Sequence, residues 1–133
     1  MAEVKDVCLW EILVPCEYNT GKPVRKKHHQ EWDKVVEKIA GGLTIYRPSL
    51  GKWKDKDNQI YHERMIPVRI ACTREQIDKI AKFSITHYKQ IAILAYKVSD
   101  EVTIYRADQY DEKGESKSTV KSEQNLGSIE AGV

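Results

Sequence analysis

No apolar run in this chain of 133 residues approaches the roughly 20 that a membrane-spanning helix needs. A membrane span is therefore not expected. The first residues, Met1-Ala2-Glu3-Val4-Lys5, lack a basic segment followed by an apolar one, so no secretory signal is read there. Cysteine is scarce: Cys8, Cys16 and Cys72 form no CxxC pair and no Cys/His pattern with zinc spacing. An odd count without a signal favours reduced thiols and a cytoplasmic protein. There is no Gly-rich phosphate loop, no HExxH and no GxSxG. No nucleophile stands with a base beside it, so neither a catalytic set, a metal site nor a cofactor site is expected. Strong charge is missing too. The net charge is +2, with −3 in residues 107–133 and +5 in residues 1–106. A modestly basic body suits an anionic small molecule and argues against duplex DNA, which calls for a clustered basic face.

What is present is a 41% hydrophobic sequence with clear periodicity, enough for one domain. Val7–Val14 reads as a strand, apolar on both sides, closed by Pro15. Asn19, Gly21 and Pro23 mark a loop. A helix follows from about Arg25 to Ala40, with Trp32, Val35, Val36 and Ile39 at i, i+3, i+4 and i+7. Gly41-Gly42 ends it. Leu43–Pro48 is a second strand, Ser49–Asn58 a polar loop and Ile60–Cys72 a third strand. Pro67 marks a bulge or an unpaired position within that strand. Thr73-x-x-Gln76 has capping-box spacing, flanked by Cys72 and Ile77 as a hydrophobic staple, and starts a helix running to Tyr88. Ile91–Val98 is a fourth strand, again apolar on both sides, and Val102–Arg106 a short fifth.

The order strand, helix, strand, strand, helix, strand is the ferredoxin-like β-α-β-β-α-β pattern: an α+β antiparallel sheet with both helices on one face, plus the short extra C-terminal strand. The domain spans residues 1–106. Residues 107–133 form an acidic tail too poor in apolar groups to offset ordering entropy, with Tyr110 or Leu126 as possible local anchors. Two helices cover one side of the sheet only, while the first and fourth strands are apolar on both. A second copy covering the open face is expected, giving a homo-oligomer, a dimer or higher. The competing arrangement is a monomer with the C-terminal segment folded over that face.

Two stretches are candidates for ligand binding. Lys22, Arg25, Lys26, Lys27, His28 and His29 lead into a helix N-terminus, where free N–H groups and the macrodipole favour an anion. The bland alternative is a solvated charged loop. Gly51-Lys52-Trp53-Lys54-Asp55-Lys56 places a tryptophan between lysines, where it could stack on a base, or fold back as a hairpin tip. Tyr46, Tyr61, His62 and Arg64 border it. His28 and His29, being adjacent on a helix, point in different directions and make no metal motif. The ligand-binding set is Arg25, Lys26 and Lys27 for phosphate, Trp53 and Tyr61 for stacking, and His28 and Arg64 for orientation.

Four segments carry a resemblance: Glu11-Ile-Leu-Val-Pro15, Ile39-Ala-Gly-Gly-Leu-Thr-Ile45, Glu63-Arg-Met-Ile-Pro-Val-Arg-Ile-Ala-Cys-Thr73 and Ala95-Tyr-Lys-Val-Ser-Asp-Glu-Val102. Over about 7–106 the chain resembles a family of small uncharacterised ferredoxin-like proteins of bacteria and phages. Several compact phage proteins of this size and oligomeric habit are sponges that sequester nucleotide signals of bacterial immunity, such as cyclic dinucleotides or cyclic ADP-ribose derivatives. The resemblance implies a non-catalytic oligomer holding an anionic nucleotide-like molecule. Two alternatives stand beside it. One is a small dimeric α+β barrel-type enzyme, a monooxygenase or isomerase with His28 or His29 as base. The other is a protein-binding inhibitor that uses the basic loop or the tail.

Overall fold

Cys8, Trp10, Ile12 and Val14 alternate along strand β1 (Cys8–Pro15), and this set faces the helices. The rest of the fold is assembled around that row. In the computed structural model, which describes residues 6–117, β1 lies between β4 (Ile60–Cys72) and β5 (Ala95–Ser99), antiparallel to both. The β1–β4 register sets Trp10 opposite Ile70 and Ile12 opposite Val68, so the apolar rows of both strands point the same way.

Helix α1 (Lys26–Ala40) buries Trp32, Val36 and Ala40 on that row. Helix α2 (Arg74–Tyr88) adds Ile77, Ile80, Ser84 and Tyr88. Both caps follow from sequence. The Gln76 N–H donates to the Thr73 hydroxyl at 3.2 Å, and the Thr73 N–H donates to the Gln76 side chain at 2.9 Å. This box contributes about 1 kcal/mol. Gly41 takes φ 90°, the left-handed conformation that glycine adopts without a Cβ penalty, and ends α1. A fully buried polar link crosses the helix layer. The Trp32 indole N–H donates to the Ser84 hydroxyl, which donates in turn to the Ile80 carbonyl.

The ferredoxin-like α+β class holds: two helices on one face of a five-stranded antiparallel sheet. The fifth strand, however, comes from a different place. Residues 102–106 form no strand; they lead into a short 3-10 turn, Ala107–Gln109. The additional strand is β3 (Ser49–Lys54), in the stretch expected to be a loop. It pairs with β4 from Ser49↔Met65 to Lys54↔Ile60. Its polar composition conceals it, because the two strands form an arm extending past β1, with solvent on both sides.

Strand β2 (Thr44–Ile45) pairs with the same edge of β4 further along, opposite Val68 and Arg69. Between β2 and β3, three residues (46–48) face two of β4 (66 and 67), which makes a bulge. Pro67 sits there. Its missing N–H falls where the edge is interrupted, and its carbonyl accepts the Tyr46 N–H at 2.9 Å.

The fourth strand is shorter than expected. Ile91 is 94% exposed and Leu94 58%, and β5 begins only at Ala95. Tyr110 forms an isolated backbone bridge with Ser116, while Leu126 lies outside the described residues. Among the described residues, no helix is long and apolar enough to cross a membrane.

Candidate functional site

The basic run opens α1. Arg25 occupies the N-cap with extended backbone and makes no side-chain cap bond; Lys26 and Lys27 follow, exposed, and no acid stands in the first turn. Three cations at the positive end of a helix dipole repel one another and the dipole, and an anion relieves both.

His28 is held differently. Its Nε2 lies 2.8 Å from the His87 carbonyl, and its ring stacks on that of His87 at 3.8 Å. It clasps the start of α1 to the end of α2. Its Nδ1 stands 3.6 Å from Glu31. His29 turns away towards the Tyr88 hydroxyl, 2.8 Å from its Nδ1. Burial, with His28 and His87 nearby, holds the His29 ring below the ordinary imidazole range.

The arm carries the aromatic pair. Trp53 and Tyr61 are cross-strand partners whose rings stack at 4.4 Å and 16°. The turn that sets them is built on Asp55, whose carboxylate accepts the N–H groups of Asp57 and Gln59 and the Tyr61 hydroxyl. Desolvation opposes its charge, but these three donors outweigh it and hold the carboxyl below its ordinary range. Asn58 adopts φ 63° to close the turn.

By the alternation of the pleat, Trp53 and Tyr61 project on the face away from the helices. Arg64 projects on the helix face, 3.9 Å from Glu17. Within one subunit, then, Trp53 and Tyr61 come together, Arg64 shares the helix side with Arg25, Lys26, Lys27 and His28, and the two groups stand on opposite faces.

A polar cluster on the open face was not anticipated. Glu11, 7% exposed in the middle of β1, pairs through Oε1 with the Arg69 Nε at 2.9 Å. It also accepts the Tyr96 hydroxyl from β5. Arg69 lies over the Tyr46 ring, 5.2 Å from its centre. Burial raises the Glu11 carboxyl, and the Tyr96 and Arg69 bonds overcome this, so it stays ionised below its ordinary value. The one sequence signal was a glutamate in an otherwise apolar strand set, Val7, Leu9, Glu11 and Leu13.

Beside this cluster is a cleft of about 170 Å3 whose lining includes Leu9, Leu43, Thr44, Arg69, Ala71 and Ile104. Ile104 shows that the segment after β5 returns over one end of the open face. On the β5 side of the open face, Leu94, Tyr96 and Val98 stay exposed; Tyr105 is 75% exposed. Cys16 and Cys72 have thiols raised by burial, Cys72 to about 12. Neither is poised as a nucleophile. No group of three or more His, Cys, Asp or Glu that could hold a metal occurs among the described residues.

No family model matches the sequence, and no curated protein does. Solved structures share the fold. A phage SAM lyase in complex with S-methyl-5′-thioadenosine has a TM-score of 0.55 at 11% identity, covering 80% of this chain and 94% of that one. CutA from Xylella fastidiosa also has 0.55, at 14% identity, covering 74% and 88%. CutA from Synechococcus elongatus has 0.51 at 16% identity, covering 73% and 79%. At these identities the likeness is one of fold, and it places the chain among ferredoxin-like α+β proteins.

Proposed function

We propose that the protein is a homo-oligomer that binds an anionic, nucleotide-like small molecule where subunits meet. The observation that carries this reading is the open sheet face. It presents an ionic cluster built on the buried Glu11, an aromatic pair on a projecting arm, and an edge strand, β5, that among the described residues pairs on one side only. Exposed edges of this kind invite pairing with another chain. A second copy would cover Leu94, Tyr96 and Val98. The reading also requires the assembly to bring the basic start of one α1 towards the Trp53–Tyr61 pair of a neighbour, since one subunit keeps them on opposite faces. Arg25, Lys26 and Lys27 then meet phosphate, Trp53 and Tyr61 stack, and Arg64 and His28 fix orientation.

The same-fold phage SAM lyase in complex with S-methyl-5′-thioadenosine supports a nucleoside-type ligand for this architecture. In this reading the ligand is sequestered, in the manner of phage sponges that capture immune nucleotides. The purified protein, incubated with bacterial nucleotide extract, is expected to yield a nucleotide on denaturation and mass spectrometry. No recovered ligand, together with no thermal shift from any cyclic nucleotide, contradicts the reading.

A second reading is favoured by that lyase neighbour: a small enzyme acting on a nucleoside substrate. It requires turnover of the captured ligand, visible as product accumulating in the same incubation.

A further inference from the structure

The Arg69 guanidinium is held by two contacts, the Glu11 carboxylate and the Tyr46 ring. Its Nε is fixed by the buried Glu11 carboxylate at 2.9 Å. Its central carbon lies over the Tyr46 ring, 5.2 Å from the centre. Tyr96 completes the support by donating to the other oxygen of Glu11. The Nη groups, on a side chain that is 39% exposed, make no hydrogen bond within the described residues, and the side chain lines the cleft. A guanidinium with Nε occupied still presents its two Nη groups as a fork spaced for two oxygens of one oxyanion. Because the ion pair fixes the fork in advance, little ordering remains when an anion arrives.

The surroundings select the ligand. Leu9, Leu43, Ala71 and Ile104 make the walls apolar, and Thr44, the cross-strand partner of Arg69, also lines the cleft. The Glu11–Arg69 pair is neutral in sum, so one negative charge is accommodated more readily than two. A volume of about 170 Å3 falls below the roughly 300–1,000 Å3 of pockets that enclose whole drug-sized ligands. The cleft therefore fits a compact molecule, or the charged end of a larger one lying along the open face.

We infer that this cleft is an oxyanion site for a molecule bearing one singly charged group, a carboxylate or a phosphodiester, on a compact apolar body. This deepens the small-molecule reading and rests on it. The cleft is nonetheless built by one subunit, so it does not depend on the oligomer.

The test is titration calorimetry of the full chain at low salt with benzoate, 3′,5′-cyclic AMP and, as the doubly charged comparison, AMP. Saturable binding of benzoate or the cyclic nucleotide, stronger than that of AMP, is expected, and the better probe identifies the source of the oxyanion. Arg69→Lys removes the fork and keeps the charge. Ala71→Leu fills the cleft and leaves the ion pair untouched, so it decides the matter if Arg69→Lys fails to fold. Each is expected to weaken binding by about tenfold or more. No saturable binding of either singly charged probe, or equal binding by Ala71→Leu and the parent chain, overturns the site. Binding that ignores Ala71→Leu but is lost on Lys26→Glu removes this site and leaves small-molecule binding standing. Cleft binding in a protein with the mass of one chain removes the oligomer and leaves this site standing.

Discussion

The imidazoles of His28 and His87 lie face to face, 3.8 Å apart, and each ring's Nε2 is 2.8 Å from the backbone carbonyl of the other residue. The two residues tie the first turn of α1 to the last turn of α2, where helix ends would otherwise fray. His28→Ala and His87→Ala are each expected to destabilise the protein by about 1–2 kcal/mol, the loss of a hydrogen bond and a ring contact. The double variant should cost clearly less than the two singles together, because either removal breaks the same clasp. Urea denaturation of the four proteins measures this, and strict additivity contradicts a shared clasp.

His29 gives the fold a pH dependence of definite sign. Burial lowers its value in the folded state from the ordinary 6.5. As pH falls through that value, the unfolded chain takes up a proton that the folded chain does not, so stability declines. The decline continues down to the folded value. Glu11 acts in a separate, lower window: its folded value lies below 4.5, so its contribution is lost as pH falls from there. Denaturation midpoints between pH 7.5 and 5.5 should therefore fall in the parent chain and fall less in His29→Gln. An unchanged slope in the variant assigns the effect elsewhere.

Ser84 is fully buried and accepts the indole N–H of Trp32 at 2.8 Å. Ser84→Ala leaves that N–H without an acceptor in the core and should cost about 1–3 kcal/mol. A loss within error of zero would show that the indole finds another partner.

The arm depends on one carboxylate. Asp55→Ala removes the acceptor shared by Asp57, Gln59 and Tyr61. Faster hydrogen exchange at residues 50–63 is expected, along with a changed Trp53 fluorescence, while exchange in β1 stays as it was. Protection in the arm equal to that of the parent chain contradicts the assignment.

Much of this fold was legible in the sequence because its signals are local. Thr73 and Gln76 announce their cap, Gly41 its helix end, and Pro67 the interruption opposite β2 and β3. Strand β3 was not legible: Lys52 and Lys54 alternate with Gly51 and Trp53 on an arm wet on both sides, so no apolar period marks it. The expected strand at 102–106 failed for the opposite reason. Val102, Ile104 and Arg106 are half-buried by tertiary contact, and Ile104 reaches the cleft without joining a ladder. For the site, the stretches were visible but their faces were not. Trp53 and Tyr61 were paired only by the β3–β4 register. The Glu11–Arg69–Tyr96 cluster joins residues 58 and 85 positions apart from Glu11, a proximity that no local pattern encodes.

Everything proposed for binding between subunits needs the exposed side of β5 to be met by another copy. Sedimentation equilibrium of the full chain measures this most directly, with Leu94→Asp as the companion variant, since Leu94 lies on that side and outside the ionic cluster. A mass that is a multiple of one chain, shifted towards a single chain by Leu94→Asp, is the expected result. The mass of a single chain for the unaltered protein, at concentrations of about tens of micromolar, in the range of transient association, would contradict it.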